Sequence, residues 1–222
     1  MHLGHLDVGA AAERALELDR VFVIPSHVPP HRSQPHASSF HRFAMAAQSV
    51  AGRSGWRASD LELRTQPPSY TASTLQQFHV RGYSAAELFF VMGADAFAEI
   101  ESWKDYPALL DYAHFAVVLR PGWAVHSLPV QMPHLAPRMT SPAIGPESFE
   151  KPAIILIDAP TADVSSTAIR DARAAGRPIT GMVDLGVQQH IEQHGLYTSR
   201  FPGRRAMDEQ SDPAAGRLHG QG

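Results

Sequence analysis

Residues 88–95 read Leu-Phe-Phe-Val-Met-Gly-Ala-Asp, an uninterrupted apolar run that ends in a small-residue turn and a carboxylate. A continuous apolar run of this length is typical of a strand that is buried on both faces of a parallel sheet. Comparable runs, at residues 21–24, 115–119 and 154–157, alternate along the chain with segments of helical periodicity. This alternation predicts an α/β fold in which helices cover both faces of a parallel sheet.

The segments between these runs carry apolar residues at helical spacing, and helices are predicted at residues 3–18, 40–51, 70–80, 166–175 and 183–194. Residues 61–63, Leu-Glu-Leu, are predicted as a short additional strand. Residues 199–222 are rich in Gly, Pro, Arg and Asp and have no periodicity, which predicts a disordered tail. The remaining residues, 1–198, are then expected to form one domain with a substantial core.

The composition narrows the class of protein. The 222 residues include no cysteine, which excludes disulfides and thiolate metal sites. A formal net charge of -3 argues against a general nucleic-acid binder. No apolar run approaches the roughly 20 residues that span a bilayer, and no basic and apolar leader is recognisable. We therefore expect a cytoplasmic protein that binds neither nucleic acid nor membranes.

The polar residues that follow the predicted strands define the expected site, because ligands of open α/β sheets bind beyond the carboxyl ends of the strands. These residues share small, hydroxyl-bearing or charged side chains within turns. They lie at residues 25–32, 67–71, 93–95, 103–104, 120–122 and 164–170.

His2-Leu3-Gly4-His5 stands at the start of the first predicted helix and is expected to bind phosphate. Two imidazoles can donate to phosphate oxygens, the glycine lets backbone approach the ligand, and the helix N-terminus adds positive potential. A second anion site is expected at Ser165-Ser166-Thr167, where hydroxyl groups begin a helix and Arg170 follows one turn later. Two phosphate sites with a carboxylate and an aromatic residue indicate a nucleotide and a second phosphorylated substrate.

His190 and His194 lie four residues apart on the last predicted helix, a spacing at which two imidazoles can share a metal ion. Nothing else in the sequence supports a site there. We therefore interpret both as surface residues and predict no metal site made by the protein itself.

The two anion motifs together, His2-x-Gly4-His5 and Ser165-Ser166-Thr167-x-Ile169-Arg170, resemble the paired signature of the nucleotidyltransferase superfamily of adenylyltransferases. Within it, further motifs resemble those of bacterial nicotinate-nucleotide adenylyltransferases. These are Val28-Pro29-Pro30-His31-Arg32, Ser69-Tyr70-Thr71, Gly93-Ala94-Asp95, Trp103-Lys104, Arg120-Pro121-Gly122 and the closing Gly195-Leu196-Tyr197. The resemblance runs from His2 to about Tyr197 and implies a Rossmann-like, doubly wound parallel sheet of the adenylyltransferase type, without its first strand.

The resemblance implies that the protein transfers AMP from ATP to nicotinate mononucleotide and releases pyrophosphate. This step forms nicotinate adenine dinucleotide in NAD biosynthesis. Mg²⁺ is implied together with ATP, and catalysis is expected to rest on positioning and on neutralising charge in the transition state. The resemblance does not decide the oligomeric state, and a homo-oligomer is one of the states left open.

The resemblance also implies a role for each motif residue. The catalytic residues would be His2, His5 and Arg170. The residues that bind ATP would be His2, Gly4, His5, Gly93, Asp95, Ser165, Ser166, Thr167 and Arg170. The residues that bind the nicotinate nucleotide would be Arg32, Ser69, Tyr70, Thr71, Asp95, Trp103, Lys104 and Arg120. Trp103 would stack on the pyridine ring, and Lys104 departs from the aromatic residue that is common in the family.

Two other functions remain open on the sequence. Phosphopantetheine adenylyltransferases share the two signature motifs, but they are usually shorter and do not account for residues 29–32 or 69–71. The other is a non-catalytic remnant that binds nucleotide poorly or serves as an interaction protein. Pyrophosphate release measured with each substrate separates the two adenylyltransferase functions.

The family begins with an apolar strand and a Gly-Gly-Thr-Phe-Asp-Pro-like turn, whereas this chain begins directly at the histidines. That strand would lie in the middle of the sheet, where each lost apolar side chain costs about 1.5–3 kcal/mol. We therefore expect Met1 to be an internal position preceded by an in-frame segment that encodes the strand, and the 222 residues alone to fold poorly. An in-frame stop codon directly before Met1, or a well-folded and active protein from these residues alone, would contradict this expectation.

Overall fold

The computed structural model describes residues 1–28, 35–65, 68–119, 127–143 and 151–198. Its helices are α1 (Leu3–Leu16), α2 (Ser39–Val50), α3 (Thr71–Val80), α4 (Ala94–Phe97), α5 (Ser127–Gln131), α6 (Ser166–Ala174) and α7 (Leu185–Gln193). Its strands are β1 (Val21–Val23), β2 (Trp56–Ala58), β3 (Phe89–Gly93), β4 (His114–Leu119), β5 (Met139–Thr140) and β6 (Ile154–Asp158). None of the described helices is long and apolar enough to cross a membrane. The predicted tail, residues 199–222, lies outside the described residues.

All strand pairs in the described part of the chain are parallel, and they fall into two sheets. β1 pairs with β2, with Val21 opposite Trp56. The larger sheet has the strand order β3-β4-β6-β5. Among the described residues no ladder joins β1 to β3, so the two sheets are separate. The α/β fold with parallel strands that the sequence predicts is confirmed.

Helix α1 packs against both sheets and holds them side by side. The face that carries Ala11 and Ala12 packs on the alanine, valine and isoleucine side chains of β4 and β6. Another part of the helix surface, which carries Leu6, packs on the β1–β2 sheet and on the indole of Trp56. Gly9 makes this second contact close, because a Cβ there would lie 2.5 Å from Cη2 of Trp56.

Strand β4 is buried along its whole length because both faces of the larger sheet are covered. Its side chains alternate between two apolar clusters, as the pleat of a strand requires. Ala116 and Val118 face α1. Phe115 and Leu119 belong to the cluster on the other face, which includes Leu128 of α5. This double burial is the physical reason for the continuous apolar run at residues 115–119.

The predicted strand at residues 61–63 is wrong, because these residues form part of the 3-10 turn Leu61–Arg64. The strand in this region is β2, which lies a few residues earlier and pairs with β1. Leu61 is buried within the turn itself, and Arg64 pairs with Asp60 at 2.8 Å. An apolar side chain can therefore be buried there without any strand.

We expect Gly9→Ala to lower the free energy of unfolding by about 1–3 kcal/mol, since the new methyl group overlaps the buried Trp56 ring. The matched control is Gly186→Ala on α7, where a Cβ would make ordinary contacts at 3.6 Å to Gln48. That control should be neutral or stabilise by up to about 1 kcal/mol, because alanine favours helix over glycine. Urea unfolding of both variants measures the difference, and equal stabilities would contradict the packing of α1 on Trp56.

Candidate active site

The carboxyl ends of the parallel strands bring the predicted motifs to one edge of the larger sheet. Register places Gly93 of β3 beside Val118, and Leu119 of β4 beside Asp158 of β6. The segments that follow β3 and β6 therefore start from the same edge, where ligands of parallel sheets bind. The N-terminus of α1 meets this edge, because the chain after β6 contacts its first turns at Ala162.

His2 and His5 stack against each other at the start of α1, with ring centroids 3.7 Å apart and an interplanar angle of 28°. His2 precedes the helix in extended backbone and is buried, whereas His5 is exposed. The N–H of Leu3 donates to the carbonyl of Met182 at 3.0 Å, which fixes the helix start against the chain before α7. Two protonated imidazoles at this spacing would repel each other, and a bound phosphate would relieve that repulsion.

Gly4 and Asp7 join the two signature motifs. A Cβ on Gly4 would lie 3.0 Å from the carbonyl oxygen of Ala162, a tighter contact than most side chains make, so glycine favours this close approach. One turn later, the Asp7 carboxylate accepts a 2.8 Å hydrogen bond from the N–H of Ala162. Because Ala162 lies three residues before Ser165, these contacts tether the first turns of α1 to the chain that leads into α6.

The start of α6 has the geometry of an anion site. Ser165 precedes the helix in extended backbone, and its hydroxyl accepts from the N–H of Ala168 at 3.1 Å. Ser166 and Thr167 are exposed in the first turn. The guanidinium of Arg170 donates to the Thr167 hydroxyl at 2.9 Å, which holds a positive charge over the helix N-terminus.

Tyr197 ties the end of the described chain to this site. Burial raises the pKa of the Tyr197 phenol, and the positive charges of Arg170 and Arg42 act in the opposite direction. The side chain also packs on the apolar cluster that includes Ile169 of α6 and Val187 of α7. Tyr197 thus lies close to two guanidinium groups, one on α2 and one on α6.

A second group of predicted residues surrounds the loop after β1. The N–H of His27 donates to the Ser69 hydroxyl at 2.8 Å, and the N–H of Ser69 donates to the carbonyl of Val28 at 2.9 Å. The His27 ring lies 3.0 Å from the carbonyl of Thr65. Ser69 therefore fixes the loop after β1 to the segment that leads into α3.

Tyr70, Trp103 and Lys104 form a compact cluster beside this loop. The ammonium of Lys104 lies 4.5 Å from the centre of the Tyr70 ring, a cation–π contact. Trp103 is half-buried and meets Phe90 of β3 edge to face, with ring centroids 5.9 Å apart. The indole of Trp103 is therefore packed on the core on one side. Next to Tyr70 in sequence, Thr71 is the first residue of α3.

Asp95 is exposed in the first turn of α4, directly after β3. Its position matches the predicted place at the carboxyl edge. Two other predicted site residues, Arg32 and Arg120, lie outside the described residues.

The sequence analysis did not identify Arg42, which holds the chain after β1 in place. Its guanidinium donates to the carbonyl oxygens of Ser26 and His27, the second at 2.7 Å, and its Nε donates to Ala37. Burial lowers the pKa of Arg42, and Tyr197 opposes this effect. An arginine inside a predicted helix gives no signal of such a role, because its partners are main-chain carbonyls. Asp7 was also missed, because its partner is the main-chain N–H of the distant Ala162.

The interpretation of His190 as a surface residue is wrong. His190 is only 9% exposed, and its Nε2 lies 3.0 Å from Nδ1 of His41 on α2. His194, by contrast, is exposed as expected. Packing of α7 on α2 buries one of the two histidines and leaves the other at the surface.

A cytidylyltransferase-like family model matches residues 1–172 of this chain. A probable nicotinate-nucleotide adenylyltransferase from Roseiflexus sp. (strain RS-1) is 38% identical over 198 residues, which cover 89% of this chain and 92% of that protein. A second, from Shewanella putrefaciens, is 33% identical over 204 residues, which cover 90% of this chain and 94% of that protein.

Among solved structures, the Plasmodium falciparum nicotinic acid mononucleotide adenylyltransferase complexed with NaAD superposes with a TM-score of 0.64. The alignment covers 89% of this chain and 91% of that chain at 17% identity, so it shows a shared fold. The family model and the curated relatives, each of which spans most of the chain, then lead to one conclusion. The chain belongs to the cytidylyltransferase-like family and, within it, to the nicotinate-nucleotide adenylyltransferases.

Proposed function

We propose that this protein transfers AMP from ATP to nicotinate mononucleotide, forming nicotinate adenine dinucleotide and pyrophosphate. The observation that carries the proposal is the junction of the two anion motifs at Ala162. Gly4 and Asp7 hold the first motif against the chain that leads into the second. The family of the chain and the activity after which its relatives are named support the same reaction.

In the proposed reaction, a phosphate oxygen of nicotinate mononucleotide attacks the α-phosphorus of ATP. A P–O bond to AMP forms, the bond to the β-phosphate breaks, and pyrophosphate leaves with the electron pair. The entering and leaving oxygens are roughly in line. No covalent intermediate with the protein is required, so the side chains act by positioning and by neutralising charge.

His2, His5 and Arg170 are proposed as the catalytic residues, because they belong to the two anion motifs and would neutralise negative charge that develops on the phosphates. Gly4 allows the close approach, and the hydroxyls at residues 165–167 with the N-terminus of α6 would bind the ATP phosphates. Gly93 and Asp95, at the end of β3, would contribute the remaining polar contacts to ATP. Mg²⁺ would enter as part of the substrate, bound to the ATP phosphates.

The nicotinate nucleotide would lie against the second group of residues. Trp103 has one face packed on Phe90, which orients the indole so that it can contact the pyridine ring. Thr71 and the N-terminus of α3, with Ser69 and Tyr70, would bind its carboxylate. Lys104, held over Tyr70, adds a positive charge on this side of the cleft. Arg32, Arg120 and Asp95 are proposed as further contacts on the basis of the motifs.

We expect His5→Ala and Arg170→Ala each to lower kcat by about 10²-fold or more, the size seen when one preorganised electrostatic group is lost. His5 is exposed and Arg170 half-buried at the cleft, so neither change should unfold the protein. The control is Arg20→Ala, an exposed arginine just before β1 and therefore at the opposite, amino end of that strand. Pyrophosphate release under saturating substrates measures the effect, and near-normal turnover of His5→Ala would contradict the role given to the first motif.

We expect nicotinate mononucleotide to be strongly preferred over its amide counterpart. A carboxylate gains charge-assisted hydrogen bonds at the N-terminus of α3 and attraction to Lys104, which a neutral amide does not replace. Lys104→Met should bring the ratio of kcat/KM for nicotinate mononucleotide to kcat/KM for the amide closer to one. Arg20→Ala should leave this ratio unchanged. Equal kcat/KM for both mononucleotides in the unmodified protein would rule out this view of substrate choice.

A further inference from the structure

Three histidines that the proposed reaction does not use converge where α2 meets α7. His41 lies in the first turn of α2, His190 in the last turn of α7, and His194 directly after that helix. Nδ1 of His41 lies 3.0 Å from Nε2 of His190. The ring of His194 lies 4.8 Å from that of His41 and 4.5 Å from that of His190, measured between centroids. One ring nitrogen from each residue falls within 4.8 Å of the others.

Two other histidines of the described chain, the buried His114 and the half-buried His79, have main-chain partners at their rings. His114 accepts from the N–H of Ala153 at 2.9 Å, and both ring nitrogens of His79 lie 2.9 Å from carbonyl oxygens. In the cluster at α2 and α7, imidazole faces imidazole. A buried or half-buried histidine that merely completes a fold is satisfied by a carbonyl or an amide, as His79 and His114 are.

The pKa values of two of these histidines also favour the binding of a cation. Burial, followed by the charge of His194, lowers the pKa of His41. Burial lowers the pKa of His190 as well, with His194 and His41 adding to the effect. Neutral imidazole is the form that binds metal ions. The lowered pKa values of His41 and His190 favour the neutral form of these two rings.

We propose that His41, His190 and His194 bind one divalent transition-metal ion of the Zn²⁺ class. Three imidazole nitrogens without oxygen ligands select Zn²⁺, Ni²⁺ or Cu²⁺ over Mg²⁺, which takes oxygen ligands. Around tetrahedral Zn²⁺, with bonds of about 2.0–2.1 Å, ligand nitrogens lie about 3.3 Å apart. The observed spacing reaches this value with small side-chain rotations and a change of ring tautomer. Because His194 is exposed, the fourth position is open to water.

The ion would act as a clamp between distant parts of the chain. His41 and His190 are separated by 149 residues in sequence, and the ion would bind α2 to the C-terminal helix α7. Arg42, the next residue on α2, holds the loop after β1 through Ser26 and His27. The bound ion would therefore stabilise helix α2, which holds that loop through Arg42. The ion takes no part in the adenylyl transfer itself.

The experiment uses the full chain without an affinity tag, first dialysed against a chelator. Calorimetric titration with Zn²⁺, and absorption titration with Co²⁺ as a spectroscopic probe, should each give one ion per chain with a Kd of about 1 µM or lower. With Zn²⁺ at a hundred times Kd, the Tm should rise by about 5–10 °C. No binding, or a stoichiometry that does not approach one, overturns the proposal.

The test variant is His194→Gln, because His194 is exposed and its loss should leave the fold intact. The variant should lose most of the affinity and the Tm shift. Two controls should keep both: His134→Gln, an exposed histidine paired with Glu101 at 2.8 Å, and His5→Ala, in the proposed active site. If His194→Gln binds as tightly as the unmodified chain, or if His5→Ala loses the ion, the site lies elsewhere and the proposal fails. Turnover is not the readout, so the result does not depend on the proposed function.

Discussion

The packing of α1 against two separate sheets is the constraint on which the rest of the structure depends. Ala11 and Ala12 face β4 and β6, while Leu6 and Gly9 face the β1–β2 sheet through Trp56. In the described part of the chain no strand pairing joins the two sheets, and this helix packs on both of them. Small side chains are needed on it, because two surfaces approach one helix closely.

The same helix carries the proposed phosphate site, so stability and chemistry share an element. The position of α1 between the sheets sets where His2 and His5 stand relative to the carboxyl edge. Gly4 and Asp7 then attach the chain after β6, and with it Ser165 and the start of α6. A shift of α1 would move both proposed phosphate sites together, since a hydrogen bond and a close backbone contact join them.

Several basic side chains lie near the proposed sites, although the net formal charge of the chain is -3. Arg170 and Arg42 lie close to Tyr197, and the ammonium of Lys104 lies over the ring of Tyr70. Both proposed substrates carry phosphates, so local positive potential matters more than net charge. Arg42 also has a structural role, because its hydrogen bonds to main-chain carbonyls hold the loop after β1.

The sequence alone determined the class of fold and the motifs. Strands that are buried on both faces, such as β4 and β6, need continuous apolar runs, and phosphate binding needs particular residues at fixed local spacing. It misassigned residues 61–63, since a buried leucine in a turn looks like one in a strand. Only the tertiary structure decided the contacts of Asp7 with Ala162 and of His41 with His190, which are 155 and 149 residues apart. Such pairs leave no local pattern, because each partner is set by where its own helix packs, and packing depends on the whole chain.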